Sequence, residues 1–199
     1  MRAKKAKHKG VKALIILFIC LLAAAAIAFG VTVGVDRYEK SAYPLKYSEY
    51  VERFSSEYGL DKYMVYAFIV TESGFDPESV SYLGARGLMQ IMPDTFEWIR
   101  YRLGEENDPE MIYDKMFEPK ENIRYGCYLL SFLSEEFGGG LTELAAAYHA
   151  GAGSVTSWLE NPQYSENGRL TDIPNADTAH YADKIQNAYN VYCRLYGAK

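Results

Sequence analysis

Asp61-Lys62-Tyr63-Met64-Val65-Tyr66-Ala67-Phe68-Ile69-Val70-Thr71-Glu72-Ser73-Gly74 decides how this chain is read. From Tyr63 to Val70 it is apolar on nearly every face, over a length too great for an ordinary strand, so it predicts a buried helix capped by Asp61. Glu72 stands at the far end of that helix. A carboxyl there meets the negative pole of the helix dipole, with Phe68 and Ile69 one turn behind it in place of water, and both effects oppose ionisation. The sequence therefore predicts an acid that stays protonated near neutral pH. Gly74, Asp76 and Pro77 stop the helix. A glycine-punctuated loop, Gly84-Ala85-Arg86-Gly87, then leads into Leu88-Met89-Gln90-Ile91-Met92-Pro93, where Pro93 suits the first turn of another helix.

Helical spacing dominates on both sides of this stretch. Upstream, Tyr47, Tyr50, Val51, Phe54 and Tyr58 form one apolar face, and Gly59 supplies a stop before Asp61. Downstream, Phe96, Ile99 and Leu103 share a face that ends at Gly104, and Asp108-Pro109 marks a loop. Pro119 opens a long helix with apolar positions Ile123, Gly126, Leu130, Leu133 and Phe137, closed by Gly138-Gly139-Gly140. Leu141 to Ala147 reads as an alanine-rich helix delivering Tyr148 and His149 to the loop Gly151-Ala152-Gly153. Ser154 to Glu160 reads as a further helical turn and Asn161 to Asn175 as a surface loop. Ala176 to Tyr196 reads as a closing helix with Tyr181, Ile185, Ala188, Tyr192 and Leu195 inward. No alternating strand stands out, so the domain is expected to be all-α.

Four blocks carry a family resemblance. Glu72-Ser73, then Gly84-Ala85-Arg86-Gly87-Leu88-Met89-Gln90-Ile91-Met92-Pro93, then Ala147-Tyr148-His149-Ala150-Gly151, then Asp177-Thr178-Ala179-His180-Tyr181 occur in order and at fitting intervals. Together they resemble the catalytic core of the soluble lytic transglycosylases, lysozyme-like enzymes that cleave peptidoglycan, over roughly residues 47 to 197. The resemblance implies a lysozyme-like, almost entirely helical domain of the α+β superfamily, with room for a small extended piece in Ser79 to Leu83. It implies cleavage of the bond between N-acetylmuramic acid and N-acetylglucosamine without water, giving 1,6-anhydro ends, with Glu72 as the catalytic residue. It also implies substrate binding by Ser73, Met89, Gln90, Tyr148, His149, Ala150 and Tyr181. Ser73 suits a bond to the acid or to a sugar acetamide, or simple capping. Gln90 both donates and accepts, as a sugar amide demands, and Met89 suits a groove wall. His149 departs from the family's asparagine, and imidazole imitates one amide contact but not both.

Glycoside cleavage ordinarily uses two carboxyl groups. Here the other nearby acids, Asp76 and Glu78, flank Pro77 in what reads as a solvated turn, an asymmetry that fits a one-carboxylate mechanism. A hydrolytic muramidase on the same fold is the alternative, and a noncatalytic glycan-binding scaffold a more distant one. His8, His149 and His180 show no metal-ligand spacing and there is no aspartate-rich calcium loop, so neither metal nor cofactor is expected. Cys127 and Cys193 read as a cross-helix pair or as two separate thiols.

Composition bounds the setting. Among 199 residues, 49% are hydrophobic and 24% charged, ordinary for a globular chain, while 18 tyrosines suit either a carbohydrate-facing groove or half-buried helix faces. Residues 1–12 hold Arg2, Lys4, Lys5, Lys7, Lys9 and Lys12 with no acid, which leaves 15 basic against 26 acidic side chains beyond them, a net of −11. Such a body repels phosphate backbones, so nucleic acid is excluded as a partner. Ala13 to Val35 carries no charge over 23 residues, about 34 Å as a helix and enough to span a bilayer. The division expected is a basic cytoplasmic tail (1–12), a transmembrane signal-anchor (13–35), a polar stalk (36–46) and a catalytic domain (47–199). The positive-inside rule places the N-terminus in the cytoplasm of a bacterial cell and the domain outside, in contact with peptidoglycan. Ala26-Ile27-Ala28 has the form of a processing site, but the apolar run continues past it through Val33, favouring a retained anchor. Lipid attachment at Cys20 is disfavoured because Ile19 is not small. The stalk, if extended, reaches at most about 36–40 Å.

Overall fold

The computed structural model describes residues 2–197, with side chains described at Phe18 and from 21 to 197. The basic cluster before Ala13, His8 and Cys20 therefore lie outside the described side chains. The chain divides into two compact units, Met1–Pro44 and Leu45–Lys199.

The first unit is one helix, α1 (Arg2–Ala42). Among the described residues, Leu21–Ala42 is long and apolar enough to cross a membrane, and Phe18, Leu21, Leu22, Ile27 and Phe29 are all exposed on it. The segment read as a polar stalk is helical up to Ala42. Nothing before Pro44 breaks a helix, and Lys40 closes an i,i+4 ion pair on Asp36 at 2.9 Å. Its reach per residue is accordingly about 1.5 Å rather than the 3.3–3.6 Å of an extended chain.

The second unit comprises α2 (Ser48–Glu57), α3 (Lys62–Ser73), α4 (Pro93–Arg102), a 3-10 turn (Tyr113–Phe117), α5 (Pro119–Glu136), α6 (Leu141–Ala150), α7 (Ala152–Leu159), the strands β1 (Ser165–Glu166) and β2 (Arg169–Leu170), and α8 (Ala176–Tyr196). α3 forms as its residues dictate. Asp61 caps it by accepting from the Tyr63 amide at 2.8 Å. Val65 to Ile69 are fully buried, and Gly74 ends the helix in the left-handed conformation at φ 60°. α3 and α6 both pack along α8. A helix wrapped on all sides by others needs no polar face, which is why the apolar run has no helical stripe.

Two expectations change. α6 runs three residues further than Ala147, so Tyr148 and His149 stand on its last turn rather than on a loop, and Gly151 at φ 84° makes the stop. The segment 161–175 is not wholly irregular. Ser165 pairs with Leu170 and Glu166 with Arg169 across a two-residue turn, Asn167-Gly168, with φ of 52° and 74°. Asn-Gly is the residue pair that turn requires, so the signal was present but the flanking strands are too short to show alternation. Buried Glu143 on α6 holds this hairpin through the Leu170 amide at 2.9 Å and Arg169 at 3.2 Å. In the Ser79 to Leu83 piece Val80 makes a single bridge to Arg86, which makes another to Ile91. Cys127 and Cys193 are both free thiols, the first of the two readings left open being thereby excluded.

Candidate active site

Glu72 is carried on the last turn of α3 with little water around it. Burial pushes its carboxyl from the ordinary 4.5 up to about 7, against the smaller opposing pull of a hydrogen bond from the Tyr181 hydroxyl. That bond runs from α8 to Glu72 Oε1 at 2.5 Å. Phe68, one turn before Glu72, fills the space that water would take. Its ring lies 4.9 Å from that of Tyr148 and 6.5 Å from that of Tyr181. Asp76 and Glu78 are exposed, and Asp76 Oδ1 accepts from the Glu78 amide at 3.0 Å, a turn-stabilising role. Among the described residues, one carboxyl group therefore stands alone in the desolvated site.

The sign of its linkage to stability follows. A carboxyl whose folded value lies above its unfolded value stabilises the fold fully below about 4.5, and that contribution is lost as pH rises through about 7. Relative to wild type, Glu72→Gln is expected to gain stability as pH rises across that window, on the order of 3 kcal/mol in total. Urea unfolding of both proteins at pH 4.5 and pH 8 measures it, and a constant difference between them would contradict the assignment.

The loop 84–91 comes to the site through backbone groups. Tyr148 donates its hydroxyl proton to the Met89 carbonyl at 2.6 Å. Ser73 donates to the Leu88 carbonyl at 2.9 Å and back to Ile69 at 3.3 Å, tying the end of α3 to the same loop. Gln90, at φ 48°, uses both amide hydrogens on the loop itself, donating to Gly87 at 2.9 Å and to Ser79 at 3.1 Å. Met89 corrects the expectation of a groove wall. Its side chain is fully buried against Gly126 of α5, where a Cβ would stand 2.1 Å from the sulfur. What Met89 brings to the site is its carbonyl. His149 is exposed, with Nδ1 3.0 Å from the Thr178 hydroxyl and its ring 4.7 Å from that of Tyr181. It braces α6 against α8 beside the acid, as one amide contact would. Ala150 is half-buried, and its carbonyl accepts from Ser154 at 2.8 Å. Tyr148 also lines a cavity of about 320 Å³ with Asp94, Thr95, Trp98, Phe132 and Ala152, largely apolar with polar groups from α4; Glu72 is not among its lining residues.

Sequence reading missed Asn122 altogether. It is buried on α5, accepts from the Met89 amide at 2.7 Å, and donates to the Arg86 and Met116 carbonyls at 2.9 and 2.8 Å. The available signal was an asparagine one turn before Gly126, at a helix-interior position such a residue does not favour.

Residues 49–170, more than half of the chain, match the family model described as the transglycosylase SLT domain. The chain belongs to this family. An SLT relative, the membrane-bound lytic murein transglycosylase C of Actinobacillus pleuropneumoniae serotype 5b, is 26% identical over 171 residues, covering 75% of this chain and 46% of that one. The protein of the same name from Mannheimia succiniciproducens is 33% identical over 170 residues, covering 75% and 47%. Among solved structures, the 70 kDa soluble lytic transglycosylase of Escherichia coli superposes with a TM-score of 0.72 at 26% identity, over 81% of this chain and 26% of that one. A complex of the 70 kDa enzyme with bulgecin A superposes with a TM-score of 0.73 over the same shares. The chain thus spans about half the length of these SLT relatives and about a quarter of the solved structures.

Proposed function

We propose that the chain is a membrane-anchored peptidoglycan lytic transglycosylase that cleaves the bond between N-acetylmuramic acid and N-acetylglucosamine and leaves 1,6-anhydromuramic ends. The observation that carries this reading is the lone Glu72 carboxyl, held near pKa 7 by burial with one tyrosine donor and no second carboxyl beside it. An acid so poised gives up a proton and takes one back near neutral pH. In the first half Glu72 protonates the glycosidic oxygen as the bond to C1 breaks. The sugar's own acetamide stabilises the positive charge building at C1. In the second half the carboxylate takes the proton of the same sugar's C6 hydroxyl, and O6 closes on C1. Glu72 ends protonated, and no water is consumed. Tyr181 orients the carboxyl throughout, while Tyr148, His149, Ala150 and Gln90 border the space the sugar enters and Ser73 and Met89 hold the loop that frames it.

The apolar segment of α1 fits a membrane anchor, and the membrane-bound name of its relatives supports the same reading. With the basic residues before Ala13 in the cytoplasm, the catalytic unit lies outside the membrane, where the wall is.

Digestion of purified peptidoglycan by the full-length protein tests the reaction. Mass analysis is expected to find muropeptides one water lighter than hydrolysis products. Reducing muramic ends as the sole product would make the chain a muramidase, and binding without any soluble product would make it a scaffold. The rate should fall as pH rises through about 7, where the acid loses its proton.

A further inference from the structure

Around Glu72 the hydroxyl protons are unequally assigned. The titratable groups that face it are Tyr181 from α8 and Tyr148 from α6, with the His149 ring lying against Tyr181. From the loop 84–91 the one charged side chain, Arg86, is turned away to Asp114 at 2.6 Å. Tyr181 gives its proton to the carboxyl. Tyr148 packs beside the acid's own helix turn, its ring 4.9 Å from that of Phe68 one turn before Glu72, yet its proton goes to the Met89 carbonyl at 2.6 Å. A phenol has one proton to donate, so with the Met89 carbonyl as its acceptor none is left for the acid.

What holds that carbonyl in place is Asn122. It meets Met89 at the amide, and with Gly126 one turn along α5 leaving room for the Met89 side chain, the residue is gripped at both ends. Both of its amide hydrogens and its oxygen are engaged, with Arg86, Met116 and Met89, which ties the loop on this side. We propose that Asn122 is a positioning residue for Glu72: by fixing the Met89 backbone it captures the Tyr148 proton on the Met89 carbonyl and withholds it from the acid. This rests on Glu72 being the acid of the reaction proposed above. Its consequence is that the carboxyl keeps one tyrosine donor instead of two, and so stays protonated at the pH where it must act. A second donor would favour the charged form.

The test reads the acid directly and needs no turnover. The Glu72 side-chain carboxyl carbon is followed by NMR in the full-length protein labelled with ¹³C-glutamate, in detergent micelles, the signal being assigned by its loss in Glu72→Gln. In Asn122→Ala the freed Tyr148 hydroxyl is expected to turn to Glu72 and lower the titration midpoint by about one pH unit, a tenfold loss of proton affinity. Asn122→Asp, which keeps an acceptor for the Met89 amide, should shift it less. In a Tyr148→Phe background the same Asn122→Ala change should shift nothing, since no proton is left to redirect. Tyr148→Phe alone, which alters no packing volume beyond one oxygen, should leave the wild-type midpoint within a few tenths of a unit. A rise of about one unit in Tyr148→Phe would mean Tyr148 already donates to the acid, and would overturn the proposal even if the Asn122 variants did not fold. A shift in Asn122→Ala that persists without the Tyr148 hydroxyl, or no shift at all, would overturn it too. Failure of wild type to yield anhydro products would instead strike the reaction and leave these midpoints readable.

Discussion

Glu72→Gln is expected to lower peptidoglycan turnover by about 10³- to 10⁴-fold while leaving binding to the wall intact. A positioned acid or base contributes roughly 10²- to 10⁴-fold to a reaction. Here a single carboxyl serves both halves, so its loss falls at the upper end. Nothing in the site substitutes for it: Asp76 and Glu78 are exposed, and Tyr148 and Tyr181 are buried phenols whose ionisation burial pushes far upward. Glutamine keeps the shape and still accepts from the Tyr181 hydroxyl, so the groove persists. Release of soluble muropeptides from purified peptidoglycan, set beside co-sedimentation with it, measures both effects. Turnover within tenfold of wild type would remove Glu72 from the mechanism.

Gly87→Ala is expected to cost about 2–5 kcal/mol of stability and to disorganise the loop that carries Met89, through two effects that add. Gly87 sits at φ 74°, where an L-residue pays about 1–2 kcal/mol. A Cβ there would also lie 2.0 Å from the Met116 carbonyl oxygen and 2.4 Å from Asn122 Nδ2. Neither atom yields cheaply, because Asn122 is held by three hydrogen bonds and Met116 is fully buried. Gly84 is the control. It has φ 86° but nothing within 4 Å of its would-be Cβ, so Gly84→Ala should cost only the backbone strain. Urea unfolding of both variants in the full-length protein reads the difference, and equal losses would show that strain, not the clash, decides at Gly87.

Much of this architecture is legible along the chain because it is local. Asp61, Pro93, Pro119 and the glycines at 59, 74 and 104 mark helix ends by their own backbone chemistry, and each acts on its nearest neighbours. The position of Glu72 is equally local, since Phe68 and the end of α3 lie within one turn of it, while the burial that raises the pKa of its carboxyl comes with the packing of the domain. Hairpin 165–170 escaped because two-residue strands show no period, although Asn167-Gly168 was in view. The extent of α6 escaped because the helix ends at Gly151 and not at the motif that begins with Ala147.

The roles of the residues around the acid were a different matter. Gln90 and Ser73 have groups that suit a sugar, and residue type alone offers no reason to expect them tied to Gly87 and Leu88. Met89 has a side chain that suits a groove, and it lies in the core because Gly126 leaves a hole there. Residue types and their spacing were enough to specify the helices, the apolar N-terminal segment and a carboxyl at the end of α3, because each depends on neighbours within a few positions. Which hydroxyl reaches that carboxyl, and which carbonyl receives the other, depends on bonds such as Tyr181 to Glu72 and Tyr148 to Met89. Those partners lie far apart along the chain, and they meet only once α3, α5, α6 and α8 have packed.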